Sequence, residues 1–136
     1  MTSLSVIIPT HNRPSKLRRA IKSCYDIASP HLTINVIVRN NSSLEYFATS
    51  KRVVESFKKN SFFDITHENV SQLGAAVIEA DYNIFCSYTQ QCTTDFLLVL
   101  GDDDAIYGLN AIIFPELQES PIIYSKAYNC SSLELD

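Results

Sequence analysis

Three consecutive aspartates, Asp102, Asp103 and Asp104, follow the apolar run Phe96-Leu-Leu-Val-Leu100 and a single glycine, so a buried segment carries concentrated negative charge to one point. Carboxylates placed this way hold a cation. The apolar run is continuous and too short for an ordinary helix, which predicts a strand buried on both faces. If the backbone stays extended past Gly101, Asp102 and Asp104 share one side and Asp103 takes the other. Two such carboxylates ~6–7 Å apart repel by roughly 2–3 kcal/mol at an effective dielectric of about 20. A divalent cation removes that cost, and an all-oxygen ligand set suits Mg2+ or Mn2+ completed by water and substrate phosphates. The competing reading is a solvated acidic loop that merely closes a strand.

The elements that must position this cluster alternate along the chain. Residues 4–8 form a β-branched run stopped by Pro9, and Thr-His-Asn-Arg-Pro14 is turn chemistry that opens a helix with proline in its first turn. Over residues 15–28 the stripe Leu17, Ala20, Ile21, Cys24 and Ile27 predicts one buried helical face, leaving Lys16, Arg18, Arg19 and Lys22 mainly wet. Residues 32–38 read as a second strand. Ser42 with Glu45 reads as a capping box for a helix carrying Leu44, Phe47, Ala48, Val54 and Phe57. A third strand is expected at 62–66, a polar loop at 67–72, a helix from Gly74 to Cys92, a fourth strand at 96–100, a helix at 108–119 bent by Pro115, and a fifth strand at 121–124.

Strands alternating with helices imply right-handed crossovers and a mostly parallel, doubly wound α/β sheet with helices on both faces. Ligands of such sheets sit beyond the carboxyl ends of the strands. That rule gathers residues 9–13, 39–43, 67–72 and 102–104 at one edge, which suits a nucleotide or a phosphorylated ligand. A single domain over residues 1–126 with a loose tail at 127–136 is expected from the 136-residue length and 46% hydrophobic content.

Charge and composition narrow the partners. The net charge of −4 and a pI near 5.3 argue against general nucleic-acid binding, which needs a basic surface. No run of 18 apolar residues is present, and the first eight residues lack the features of a secretory signal, so a cytoplasmic protein is expected. Cys24, Cys86, Cys92 and Cys130 show no C-x-x-C pairing and read as reduced, partly buried thiols. The basic residues of the first helix read as solvation, with peripheral contact to anionic lipid as the weaker alternative.

Read together, Ser5-Val-Ile-Ile-Pro-Thr-His-Asn-Arg13, Val36-Ile-Val-Arg-Asn-Asn-Ser-Ser43, Leu73-Gly-Ala-Ala76 and Phe96-Leu-Leu-Val-Leu-Gly-Asp-Asp-Asp104 resemble the family 2 glycosyltransferases of GT-A fold, in order and in spacing. The resemblance implies a nucleotide-diphosphate sugar as donor, Mn2+ or Mg2+ as cofactor, a saccharide or other hydroxyl acceptor, and a role in polysaccharide biosynthesis. By the same resemblance Pro9, Thr10, Asn12 and Arg13 would touch the nucleotide, and the loop after the second strand would read its base. Asp102 to Asp104 would be the D-x-D motif, with Asp102 and Asp104 toward metal and Asp102 and Asp103 toward the nucleotide sugar. Asn69 and Gln72 are further candidates for base or sugar contact.

Two departures from the family pattern shape the expectations. Asn40 stands where the family commonly has a base-reading aspartate, and its amide, with an acceptor and a donor, can still pair with uracil N3–H and O4; donor identity stays open, with a UDP-sugar the favoured expectation. Family catalytic domains are longer, whereas 32 residues, 105–136, follow Asp104 here. The acceptor half therefore reads as shortened, with no general base identified and a second subunit or a homo-oligomer as its expected source. Arg13 reads as a phosphate partner; His11 and His67 read as ordinary turn and structural histidines, and Tyr82 and Tyr88 as core or rim. The alternatives are a degenerate nucleotide-binding half-domain that acts without turnover and a haloacid-dehalogenase-like phosphatase. The latter requires its acidic motif on the first strand, not the fourth. A P-loop NTPase is excluded because no G-x-x-x-x-G-K-[ST] occurs.

Overall fold

The computed structural model describes residues 2–76 and 94–106. Strand β1 (Thr2–Thr10) leads through helix α1 (Pro14–Ile27) to β2 (Leu32–Asn40), then through α2 (Leu44–Glu55) to β3 (Phe63–Asn69), a 3-10 turn at Ser71–Ala76, and β4 (Phe96–Val99). All pairings are parallel and the strand order is β3-β2-β1-β4. The predicted α/β parallel sheet is thus present. The helix expected from Gly74 to Cys92 gives way to the 3-10 turn at its start, and its remainder lies outside the described residues. So do the helix at 108–119, the fifth strand and the tail.

β-Branched residues give β1 and β2 their extended backbone, and two faces of burial follow from alternation. Val6, Ile8, Val36 and Val38 pack toward the helices, against the α1 stripe Leu17, Ala20, Ile21 and Cys24 and against Val53 and Val54 of α2. Ile7 and Ile37, which alternate to the opposite face, are also buried. Cys24 lies wholly inside, and burial pushes its thiol up to about 12, a form inert as a nucleophile.

Several boundaries differ from expectation for identifiable reasons. β1 runs through Pro9 to Thr10. The Ile7 carbonyl accepts from Leu100 N–H, so residues 7 and 9 face β4, and the N–H that Pro9 lacks falls where the β4 pairing has ended. β3 continues to Asn69, taking His67, Glu68 and Asn69 out of the expected loop. Arg39 and Glu68, opposed in register, form an ion pair of 2.6 Å that holds this extension. Ser43, not Ser42, is the N-cap of α2, so the capping box is absent. The buried face of α2 is Ser50, Val53 and Val54, while Leu44 is 94% exposed.

β4 also corrects the expectation of burial on both faces, because Val99 is 45% exposed on this outer strand of the described sheet. Truncation should separate the two environments. Ile7→Ala is expected to cost about 2–5 kcal/mol in urea unfolding, and Val99→Ala about 0.5 kcal/mol or less. Similar losses at both positions would contradict this assignment of burial.

Candidate functional site

β2 and β3 lie on one side of β1 and β4 on the other, so the chain changes direction across the sheet between β1 and β4. In doubly wound sheets that is where a crevice opens at the carboxyl ends. The parallel register brings Thr10, Asn40 and Asn69 level at this edge. The acidic segment enters it from β4.

The segment does not stay extended. Asp104 N–H donates to the Gly101 carbonyl at 3.0 Å, which closes a turn and removes the expected alternation of the three side chains. Asp102 turns inward and is buried. Its Oδ2 accepts from Thr10 Oγ1 at 2.9 Å and from His11 N–H at 3.4 Å, and its Oδ1 accepts from Arg13 Nη1 at 3.3 Å. The same Nη1 lies 3.5 Å from Asp103 Oδ2. Helix α1 fastens the turn further: Arg19 Nη2 donates to the Asp103 carbonyl and Ser23 Oγ accepts from Ile106 N–H. Arg19 is therefore a tether and not merely part of a solvated face.

Asp103 and Asp104 are exposed. A Cβ placed on Gly101 would lie 2.8 Å from Asp104 Oδ2 and 3.0 Å from Asp103 Oδ1, so the glycine leaves a gap onto which both carboxylates converge. Among the described residues no three His, Cys, Asp or Glu side chains form a ready-made cage. The donor set nonetheless fits Mg2+ or Mn2+, which are commonly held by one or two carboxylates and completed by water and phosphate oxygens. Asp102, also expected to meet the metal, already accepts hydrogen bonds at both oxygens.

The loop after β1 is equally tied to the loop after β2. Asn12 adopts φ 56°, a left-handed conformation that asparagine tolerates better than most residues. Its Oδ1 accepts from Ser43 N–H at 2.8 Å and Ser43 Oγ at 3.1 Å, and its own N–H donates to Ser42 Oγ at 3.0 Å. His11 Nδ1 donates to the Asn41 carbonyl, and Asn41 N–H to the Thr10 carbonyl. Asn12 is thus a staple between loops.

Asn40, expected to read the base, lies inside the edge. It is 0% exposed, its Oδ1 accepts from Ser42 N–H at 3.0 Å, and its Nδ2 donates to His67 Nε2 at 3.1 Å and to the Phe47 carbonyl at 3.4 Å. Both ends of the amide are thus committed to the fold. The neighbouring Asn41 is only half-buried, and among the described residues its side-chain amide has no hydrogen-bond partner. Sequence reading missed Asn41, although the paired asparagines were a signal that one could face each way. Asn69 Oδ1 accepts from Ser71 N–H and Oγ in a local turn, Gln72 is exposed, and Pro9 lies within β1 opposite Arg39. Those three are placed at or near the edge but are not brought to the acidic turn by any described contact.

The stapling role of Asn12 has a measurable signature. Asn12→Ala loses an acceptor and puts a Cβ-bearing residue at positive φ, whereas Asn12→Gly loses the acceptor alone. In urea unfolding the alanine variant should be the less stable of the two by about 1 kcal/mol. Equal stabilities would contradict the left-handed placement.

The family model described as Glycosyl transferase family 2 matches residues 5–108, which run from within β1 through the acidic turn. No curated protein sequence matches the chain. A crystal structure of S. aureus TarS, residues 1–349, matches with a TM-score of 0.55 at 20% identity over 88% of this chain and 32% of that one. At that identity the likeness bears on the fold, and the chain spans about a third of the length of that structure. With the family match covering most of its length, the chain belongs to glycosyltransferase family 2.

Proposed function

We propose that this chain binds a nucleotide-diphosphate sugar at the edge between β1 and β4, for transfer of the sugar to a hydroxyl acceptor. The observation that carries this reading is the acidic turn held against the β1 loop by Asp102, with Arg13 between Asp102 and Asp103. Family membership supports glycosyl transfer as the reaction class.

The residues divide the work by their freedom. Asp102 is the organiser: it fixes Thr10 and Arg13 and so sets where the diphosphate lies. Asp104, with Asp103 beside it, holds the cation. When bound, Mg2+ or Mn2+ neutralises the charge that develops on the leaving diphosphate. Arg13 meets the aspartates through Nη1 and is half exposed, so its other N–H donors remain for a phosphate oxygen. Asn41 presents an acceptor and a donor at the mouth of the second loop, matching uracil N3–H and O4 and favouring a UDP-sugar.

Calorimetric titration with UDP, GDP and their sugars, with and without Mn2+, tests the reading. UDP binding is expected to depend on the metal. Asp104→Asn should weaken it by about tenfold or more, and more than Asp103→Asn does, consistent with loss of a charge-assisted contact. Gly101→Ala should leave the unfolding midpoint nearly unchanged, because only flexible side chains must shift, yet weaken binding by displacing both carboxylates. Binding indifferent to chelator, or equal loss in the two aspartate variants, would contradict the assignment.

The two asparagines should separate in the same assay. Asn41→Ala is expected to lower UDP affinity about three- to tenfold with little change in stability. Asn40→Ala is expected to destabilise the fold by about 1–3 kcal/mol, because buried groups lose their partners. The opposite pattern would restore base reading to Asn40.

A further inference from the structure

We infer that His67 is a positioning residue for the loop after β2, acting through Asn40 and only as the neutral imidazole. This rests on the nucleotide-binding reading of that loop. The geometry assigns the protonation state without appeal to hydrogen positions. Ser42 N–H can only donate, so the Asn40 atom 3.0 Å from it is the oxygen. The Phe47 carbonyl can only accept, so the atom facing it is the nitrogen. Two backbone groups therefore fix the amide from opposite ends. The Asn40 nitrogen consequently faces His67 Nε2 at 3.1 Å, and Nε2 must be the acceptor.

Protonating His67 would set an N–H against the Asn40 NH2. Flipping the amide offers no escape, since its NH2 would then face Ser42 N–H and its oxygen the Phe47 carbonyl. At least one hydrogen bond of the Asn40 amide is lost in either arrangement. Ser42 N–H rests on the same Asn40 amide, and Ser42 Oγ accepts from Asn12 N–H, so a shift or flip of that amide reaches the β1 loop and the edge that carries Arg13.

The surroundings favour the neutral form. His67 sits edge-on to the Phe47 ring at 5.6 Å, and its pKa is lowered from 6.5, first by burial and then by Lys51 of α2. Glu55 of α2 and Glu68 of β3 pull the other way, and Glu68 is itself paired with Arg39 of β2. A histidine whose folded pKa is depressed adds stability that is complete above its unfolded value of 6.5 and is lost as pH falls through the lower folded value. His11 does not reproduce this effect, because Nδ1 can donate to the Asn41 carbonyl whether or not the ring is charged.

The test combines a ligand-free and a ligand-bound measurement on wild type and His67→Gln, a variant that offers a non-titrating acceptor in place of Nε2. In NMR titrations without ligand, the Ser42 amide and Asn40 side-chain resonances should follow the His67 imidazole, with a midpoint below 6.5, and His67→Gln should abolish their response. UDP affinity in the presence of Mn2+ should fall about three- to tenfold between pH 7.5 and 5.5 beyond the fall seen in His67→Gln, as expected for one lost hydrogen bond. The two proteins differ at this one side chain, so any pH effect arising elsewhere is common to both and cancels. Asn40→Asp supplies an independent check, since a carboxylate facing Nε2 should raise the His67 midpoint. Ser42 resonances indifferent to His67, an unmoved midpoint in Asn40→Asp, or the same pH slope for UDP in both proteins would overturn the proposal. If UDP fails to bind at any pH while the resonances titrate together, the nucleotide reading fails and the coupling of His67 to the loop stands.

Discussion

One buried carboxylate governs the candidate site. Asp102 accepts hydrogen bonds from Thr10 Oγ1, His11 N–H and Arg13, and thereby joins the end of β1 to the turn that follows β4. Strand pairing between β1 and β4 covers only Leu4 to Ile7 on β1, with one further bond from Leu100. The crevice edge beyond that point would be unrestrained without side chains to close it. A carboxylate suits the task because it accepts several donors at once, and its charge-assisted bonds are roughly twice as strong as neutral ones. Burial demands that such a group be paired, so Thr10, His11 and Arg13 are held where Asp102 needs them.

From that joint the β1 loop reaches the other way, to the loop after β2, through His11, Asn12 and the serines 42 and 43. Asn40 continues the line inward to His67 and α2. The edge therefore has an inner layer of polar side chains committed to one another and an outer layer that remains available. Arg13, Asn41, Asp103 and Asp104 belong to the outer layer. Preorganisation of this kind limits the ordering cost that a ligand would otherwise meet on binding.

Periodicity made the fold legible. Four of the five α1 stripe residues are buried as their three- and four-residue spacing requires, Ile27 only partly, and the β-branched runs are the two central strands of the described sheet. The rule that ligands sit beyond the carboxyl ends of parallel strands placed the loops at one edge. What sequence could not convey was which member of a polar cluster turns inward. Asp102, Asp103 and Asp104 are chemically identical, and only the turn closed at Gly101 distinguishes them. Asn40 and Asn41 are likewise equivalent as letters, and strand alternation alone sends the first under α2. The extension of β3 depends on Arg39 meeting Glu68 across two strands, a contact that no local window contains. Leu44 is apolar by type, yet the helix begins with that side chain in solvent.

The central claim is that Asp102 organises the edge while its neighbours meet the cation. Anomalous diffraction from Mn2+ in crystals of the chain with UDP would place the metal directly. The account predicts Mn2+ bound to Asp104, with Asp103 beside it, and Asp102 still accepting from Thr10 and His11. Mn2+ coordinated by Asp102, with its bonds to Thr10 and His11 broken, would contradict it.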